Sequence, residues 1–254
     1  MIRSGARDDT NPERAFLDAN VIRGQQTTDV LLSVALEGVY EPQWTQKVID
    51  EMRRNRPPGL PEADIDRRIR AMNTAFPDAM VEEPPRDLQD QMQADPKDKH
   101  VLAGAVHCEA GVLVTDNLKD FHPPTSGPNH MRVENLNQFL IRKLEEEPTR
   151  MLVGLRTMVS RHRREPKTMS ALIDAMAEGQ ELRGFAVALN AVVPEGQRGS
   201  SPVLTVSQRG TAQYAAFKGV VEPGVPEAPA TAPEARSTGG EHGVEKGAGA
   251  EQDR

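Results

Sequence analysis

Short apolar runs alternate with amphipathic helical stretches through residues 15–141, and this alternation predicts an α/β fold of three layers around a central parallel sheet. Two further observations support it. The apolar runs are only a few residues long and lack polar alternation, as strands covered on both faces do. Acids also stand where two of those runs end: Asp18 after Ala15-Phe16-Leu17, and Asp116 after Val112-Leu113-Val114. Open parallel sheets carry their sites at the carboxyl ends of strands.

The elements follow in order. Ala15-Phe16-Leu17 is read as the first strand, ending in Asp18. Val30 to Leu36 reads as a helix with Thr28 or Asp29 as its cap. Val39-Tyr40-Glu41-Pro42 reads as a second short strand. Thr45 caps the next helix, which carries Glu51 and turns Val48, Ile49 and Met52 inward; Pro57-Pro58-Gly59 ends it. Ile65, Ile69 and Met72 stripe a helix over residues 62–76. Met80-Val81 reads as a brief strand. Asp95, with Pro96 at the first helical position, opens a helix carrying Val101, Leu102, Ala105 and Val106. Val112-Leu113-Val114 and Met131-Arg132-Val133 complete the strands, and Asn135 caps the helix that follows.

Four segments emerge. Residues 1–13 are polar and read as a flexible start. Residues 14–141 hold the α/β domain. Residues 145–192 read as a small helical lobe docked on that domain, with too little core to stand alone. Residues 194–254 read as a low-complexity, mostly disordered tail, because Pro, Gly, Ala and Glu cannot offset the entropy of ordering.

A formal charge of -7 excludes a uniformly basic nucleic-acid binder but not a local basic patch. The lone Cys108 excludes an intrachain disulfide and a cysteine-rich zinc site. The start lacks the apolar region of a secretion signal, and no run approaches the ~20 apolar residues of a membrane span. A cytoplasmic protein without membrane contact is expected.

Asp18, Glu51, Asp98 and either Asp116 or Asp120 are distant in sequence, yet one sheet edge can gather them. Several convergent carboxylates do not all stay ionised without a cation. Oxygen ligands of this kind suit Mg2+ or Mn2+, which can activate water for phosphodiester hydrolysis. Each acid also has a purely structural reading. Asp98 falls where a capping-box acid would, Asp18-Ala19-Asn20 fits an Asx-turn, Glu51 fits a solvated helix face, and Asp116 or Asp120 fits a turn.

Four stretches stand in order: FLDANVI (16–22), WTQKVIDEMRRN (44–55), DPKDKHVLAGAV (95–106) and VLVTDNLKDF (112–121). On these the chain resembles PIN-domain proteins, in particular the VapC-type ribonuclease toxins of bacterial toxin–antitoxin pairs. The resemblance covers residues 15–141 and implies a parallel sheet sandwiched by helices. It also implies an acid cluster binding Mg2+ or Mn2+, and an RNA substrate, with transfer RNA a candidate. A cognate antitoxin protein and a homodimer are expected with it. Carried over, Asp18, Glu51, Asp98 and Asp120 are the catalytic acids, and Asp18, Asp98, Asp120 and Asp116 the metal-ligand candidates. Thr115, Asn117 and Asp95 support them. The slot that often reads Thr-x-Asp here reads Thr115-Asp116-Asn117, which leaves Asp116 and Asp120 in competition as fourth acid.

Lys97, Lys99, Arg53 and Arg54 are candidate phosphate contacts, or else a solvated helix face. The run from Arg161 to Lys167 is either an RNA-backbone contact or an exposed linker. Tyr40 and Trp44 are expected in the core. The expected function is a metal-dependent endoribonuclease, the toxin of a type II pair. The alternative is a catalytically silent PIN-fold RNA-binding protein, which Asn117 in the Thr-x-Asp slot favours. A receiver domain or a haloacid-type phosphatase fits less well, because Asp18-Ala19-Asn20 lacks their second acid.

Overall fold

A computed structural model describes residues 12–124, 127 and 129–205. The chain begins with β1 (Arg14–Leu17), α1 (Ala19–Ile22), α2 (Gln25–Leu36), β2 (Glu41–Thr45), α3 (Gln46–Arg54) and α4 (Glu62–Ala75). It continues with β3 (Met80–Val81), α5 (Arg86–Gln91), α6 (Lys99–His107), β4 (Val112–Val114), β5 (Arg132–Glu134) and α7 (Leu136–Glu146). Then come α8 (Pro148–Arg161), α9 (Met169–Glu178), α10 (Arg183–Val192) and α11 (Pro202–Thr205). The strands form one sheet in the order β3-β2-β1-β4-β5, and every pair is parallel. The predicted α/β architecture is therefore present. From β1 the chain builds outward to one side as far as β3, then returns to place β4 and β5 on the other. The strand order reverses between β1 and β4, and ligands of such sheets bind in the crevice at that reversal.

Both strands at the reversal are apolar because both of their faces are covered. Phe16 in β1 and Val112, Leu113 and Val114 in β4 are fully buried. Helix α6 lies against β1 so closely that a Cβ on Gly104 would stand 2.7 Å from the Phe16 ring. Glycine permits that approach. Tyr40 is in the core, as expected: its hydroxyl donates to the Leu31 carbonyl at 3.0 Å, and its ring meets Phe139 edge-on. Trp44 is buried too, edge-on to Phe76.

Several boundaries differ from the sequence reading, each for a local reason. Helix α2 begins at Gln25 rather than near Val30, with Gly24 at its cap. The Thr28 hydroxyl lies inside the helix, donating to the carbonyls of Ile22 and Gly24. Strand β2 starts at Glu41, because Val39 still donates to Val34 in the turn that closes α2. Helix α6 starts at Lys99 rather than Pro96. Asp95 accepts from the Lys97 N–H through its side chain and from the Asp98 and Lys99 N–H groups through its carbonyl, which makes 95–98 a turn. Asp98 then sits at the cap position of α6 without capping it. Helix α5 has no counterpart in the sequence reading: none of its residues is buried, so no apolar stripe marks it. The caps Thr45 and Asn135 are where the sequence puts them, and Thr168 caps α9.

The helices after residue 146 share the core of the sheet domain. Helix α8 lies on α2, where a Cβ on Gly154 would come within 2.8 Å of the Ser33 carbonyl oxygen. Helix α10 is tied to α7 through Asn137, whose side chain accepts from the Phe185 N–H and donates to the Glu181 carbonyl, both at 2.8 Å. The segment expected to be a mostly disordered tail begins with two short formed elements. A 3-10 turn over Glu195–Gln197 and α11 are formed, held by the Asp174 carboxylate, which accepts from Ser200 and Ser201. The remainder of the expected tail, residues 206–254, and most of the expected flexible start lie outside the described residues. Among the described residues no helix is long and apolar enough to cross a membrane.

Candidate functional site

The Asp18 N–H continues the β1 ladder by donating to Val114 at 3.0 Å, which puts its side chain at the reversal of strand order. One Asp18 carboxylate oxygen accepts from the Thr115 hydroxyl and from the Asn20 amide, each at 2.7 Å. Thr115 stands at the end of β4, so the two central strands grip one carboxylate between them. Asp18, Glu51 from α3 and Asp98 from the start of α6 line a cavity of about 160 Å3 together with Asn20, Arg23, Asn55, Lys97 and Asn117. Asp120 lies in the 3-10 turn Leu118–Asp120. The Asn117 amide donates to Asp120 at 2.6 Å and to Asp98 at 3.3 Å, so it spans those two carboxylates.

Crowding of like charge shows in the protonation equilibria. Burial raises the Asp18 carboxyl to about 6; the Thr115 and Ala19 hydrogen bonds pull it down, and the charges of Asp98 and Glu51 push it up further. Asp98 is raised as well, first by burial, with Lys97 opposing and Asp95, Asp120 and Glu51 adding. Burial also acts to raise Glu51, but His100, Arg54 and Lys47 outweigh it, and its carboxyl is lowered. His100 is 1% exposed and places Nε2 3.2 Å from Glu51. That contact is close but poorly aligned for a hydrogen bond. Its Nδ1 donates to the Lys97 carbonyl at 2.9 Å, since a carbonyl only accepts.

The oxygen donors suit a hard divalent cation. Their arrangement does not close around one. Among the described residues no three His, Cys, Asp or Glu side chains form a ready ligand set. The Asn117 amide stands between Asp98 and Asp120, while Asn20 and Thr115 hold Asp18.

Of the acids read from the sequence, Asp18, Glu51 and Asp98 meet at the cavity, and Asp120 joins through Asn117. Asp116 does not join them. Its carboxylate accepts from the Leu136 N–H at the start of α7, at 3.4 Å. Asp95 is engaged in the turn before Asp98. Among the cations, Lys97 lines the cavity and Arg54 stands 3.7 Å from Glu51. Arg53 instead pairs with Asp50 and Asp66, and Lys99 donates to the Asp90 carbonyl. Sequence reasoning passed over Arg23 and Asn55, and treated Asn20 only as a turn residue. The spacing of Asp18 and Asn20, with Thr115 expected across the sheet edge, was the available signal for Asn20.

Fold and site together define an open parallel α/β protein with a carboxylate-lined cavity at its strand reversal. Over 113 residues the chain is 34% identical to a Mycobacterium tuberculosis protein named "Putative ribonuclease VapC50". The match takes in 43% of this chain and 64% of that protein, so the chain spans less than two thirds of its relative's length. The likeness is of the same kind as the resemblance carried by the four motifs. No family model matches the chain, and no solved structure matches it.

Proposed function

We propose that this chain is a PIN-like protein that binds RNA across the mouth of the acid cavity. The observation that carries the reading is the joint lining of one cavity, at the strand reversal, by three carboxylates and the cations Arg23 and Lys97. Carboxylates without a cation repel phosphate. In the arrangement described, Arg23 and Lys97 therefore take the phosphates, while Asp18, Glu51 and Asp98 accept from ribose hydroxyls and base N–H groups. This is the silent RNA-binding reading, and the separation of Asp98 from Asp120 by Asn117 favours it.

The second reading is a metal-dependent endoribonuclease, the toxin of a type II toxin–antitoxin pair. It is favoured by the raised carboxyls of Asp18 and Asp98, where burial first and neighbouring carboxylates second oppose ionisation that a cation would assist, and by the name of the relative. In it, Asp18, Asp98 and Asp120 would hold Mg2+ or Mn2+ with Glu51 beside them. The cation would supply charge neutralisation and an activated water. Transfer RNA as substrate, a cognate antitoxin, a homodimer and a cytoplasmic setting belong to this reading.

One experiment separates the two. Labelled transfer RNA and total RNA are incubated with the purified chain in Mg2+, in Mn2+ and in EDTA, and both retardation and fragments are scored. Asp18→Asn, Asp98→Asn and Asp120→Asn are run alongside. Retardation in EDTA without fragments under any metal supports silent binding. Metal-dependent fragments that vanish in the three variants while retardation persists establish the nuclease. Neither retardation nor fragments would sink both readings.

A further inference from the structure

The acid cavity leaves one basic cluster unused: His162, Arg163 and Arg164, between α8 and α9. This loop borders a second cavity, of about 410 Å3, whose facing wall is the first turns of α2, with Gln25, Gln26 and Asp29. That volume is within the roughly 300–1,000 Å3 usual for small-ligand sites. Arg163 and Arg164 are exposed, and neither forms an ion pair among the described residues. Glu165 also lines this cavity, with its carboxylate turned to the loop's own backbone, where it accepts from the Lys167 N–H at 2.9 Å; two arginines against one glutamate leave the loop side net positive. Burial raises the Asp29 carboxyl, and Arg68, His162 of the loop and a hydrogen bond from Gln25 oppose that rise in part. No side chain caps the start of α2, which favours an anion on that side.

The two cavities are neighbours along the chain. Asn20 and Arg23 line the acid cavity, and Gln25 lines the second. The step from Asn20 to Gln25 spans at most roughly 18 Å of extended chain. Arg68 braces the connection by donating to the Arg23 carbonyl at 3.0 Å. A strand of RNA lying at the first cavity reaches the second within a few nucleotides.

We infer that the cavity between α2 and the 162–166 loop is a second RNA subsite, holding a nucleotide that flanks the one at the acid cavity. Arg163 and Arg164 hold its phosphate. Asp29 and Gln26 meet the edge of its base, over an apolar floor that includes Leu172. The inference rests on the RNA reading of the acid cavity.

The test is fluorescence anisotropy of a labelled single-stranded RNA on the full chain, in EDTA, across a series of salt concentrations. In R163A/R164A the affinity falls about tenfold and the log–log salt slope drops by ~1–2. R163K/R164K recovers most of that binding. R67A/R70A, on α4 and in the lining of neither cavity, stays within about twofold of the unaltered chain. Thermal melts confirm that each variant is folded. Unaltered RNA binding by R163A/R164A, or an equal loss in R67A/R70A, overturns the subsite while leaving the acid-cavity reading in place. Polyglutamate binding that R163A/R164A abolishes, with RNA binding intact, assigns the loop to an acidic protein partner and also overturns it. An unaltered chain that binds no RNA overturns both readings.

Discussion

Asp18 carries the site's tension. It is 7% exposed, and its carboxyl stands at about 6, against an ordinary value of 3.8. The folded state therefore holds this proton more tightly than the unfolded chain does. Its contribution is fully present below the unfolded value and is lost as pH rises through the folded one. Above that window an ionised Asp18 costs on the order of 3 kcal/mol. Asp18→Asn keeps an oxygen to accept from Thr115 and removes the charge. In EDTA at pH 7.5 the variant should melt several degrees above the unaltered chain, and at pH 4 the two should coincide. An equal gain at both pH values would show that packing, not charge, is responsible. Asp18 is legible in the sequence because it follows a buried run, and Glu51 and Asp98 because they stand in the motifs that carry the PIN resemblance. Which of Asp116 and Asp120 joins them is not. Both lie in the short segment after β4, and the start of α7, reached from β5, draws Asp116 away.

The elements show where a linear reading succeeds. Thr45 and Asn135 cap their helices as read because a cap is a contact with an N–H a few residues on, so its chemistry is local. The start of α2 and the whole of α5 escaped because neither announces itself with an apolar period. Gly104 carries a different lesson. In an exposed helix, Gly→Ala would gain up to ~1 kcal/mol. Here the added methyl meets Phe16 ring atoms at 2.7 and 2.9 Å and Thr45 at 3.3 Å. Overpacking should win, and Gly104→Ala should lower stability to urea by about 1–3 kcal/mol. A stabilised variant would mean that α6 can withdraw from β1 without cost. That helix delivers Asp98, so the same substitution should also disturb RNA binding at the acid cavity.

At the scale of the molecule, the helices after residue 146 are part of one core rather than an appendage. Met151, Leu155, Leu172, Ile173, Phe185 and Leu189 are buried in the same cluster as the strands. They approach closely at Gly154, where a Cβ would meet the Ser33 carbonyl oxygen at 2.8 Å and the Val34 Cα at 3.1 Å. Backbone cannot yield as a side-chain tip does. Gly154→Val should cost ~2 kcal/mol or more and lower the single melting transition of the whole chain. Two separate transitions, with only one moved, would instead establish the helical lobe as an independent unit. By itself, the sequence determined the α/β class, the parallel sheet, the buried strands and the acids at their ends, because burial on both faces and local capping leave a direct mark on residue order. Tertiary structure alone decided the strand order that sets β1 beside β4, the Asn117 amide between Asp98 and Asp120, and the cavity that pairs α2 with the 162–166 loop. These depend on which distant segments meet, and residue order carries no local trace of that.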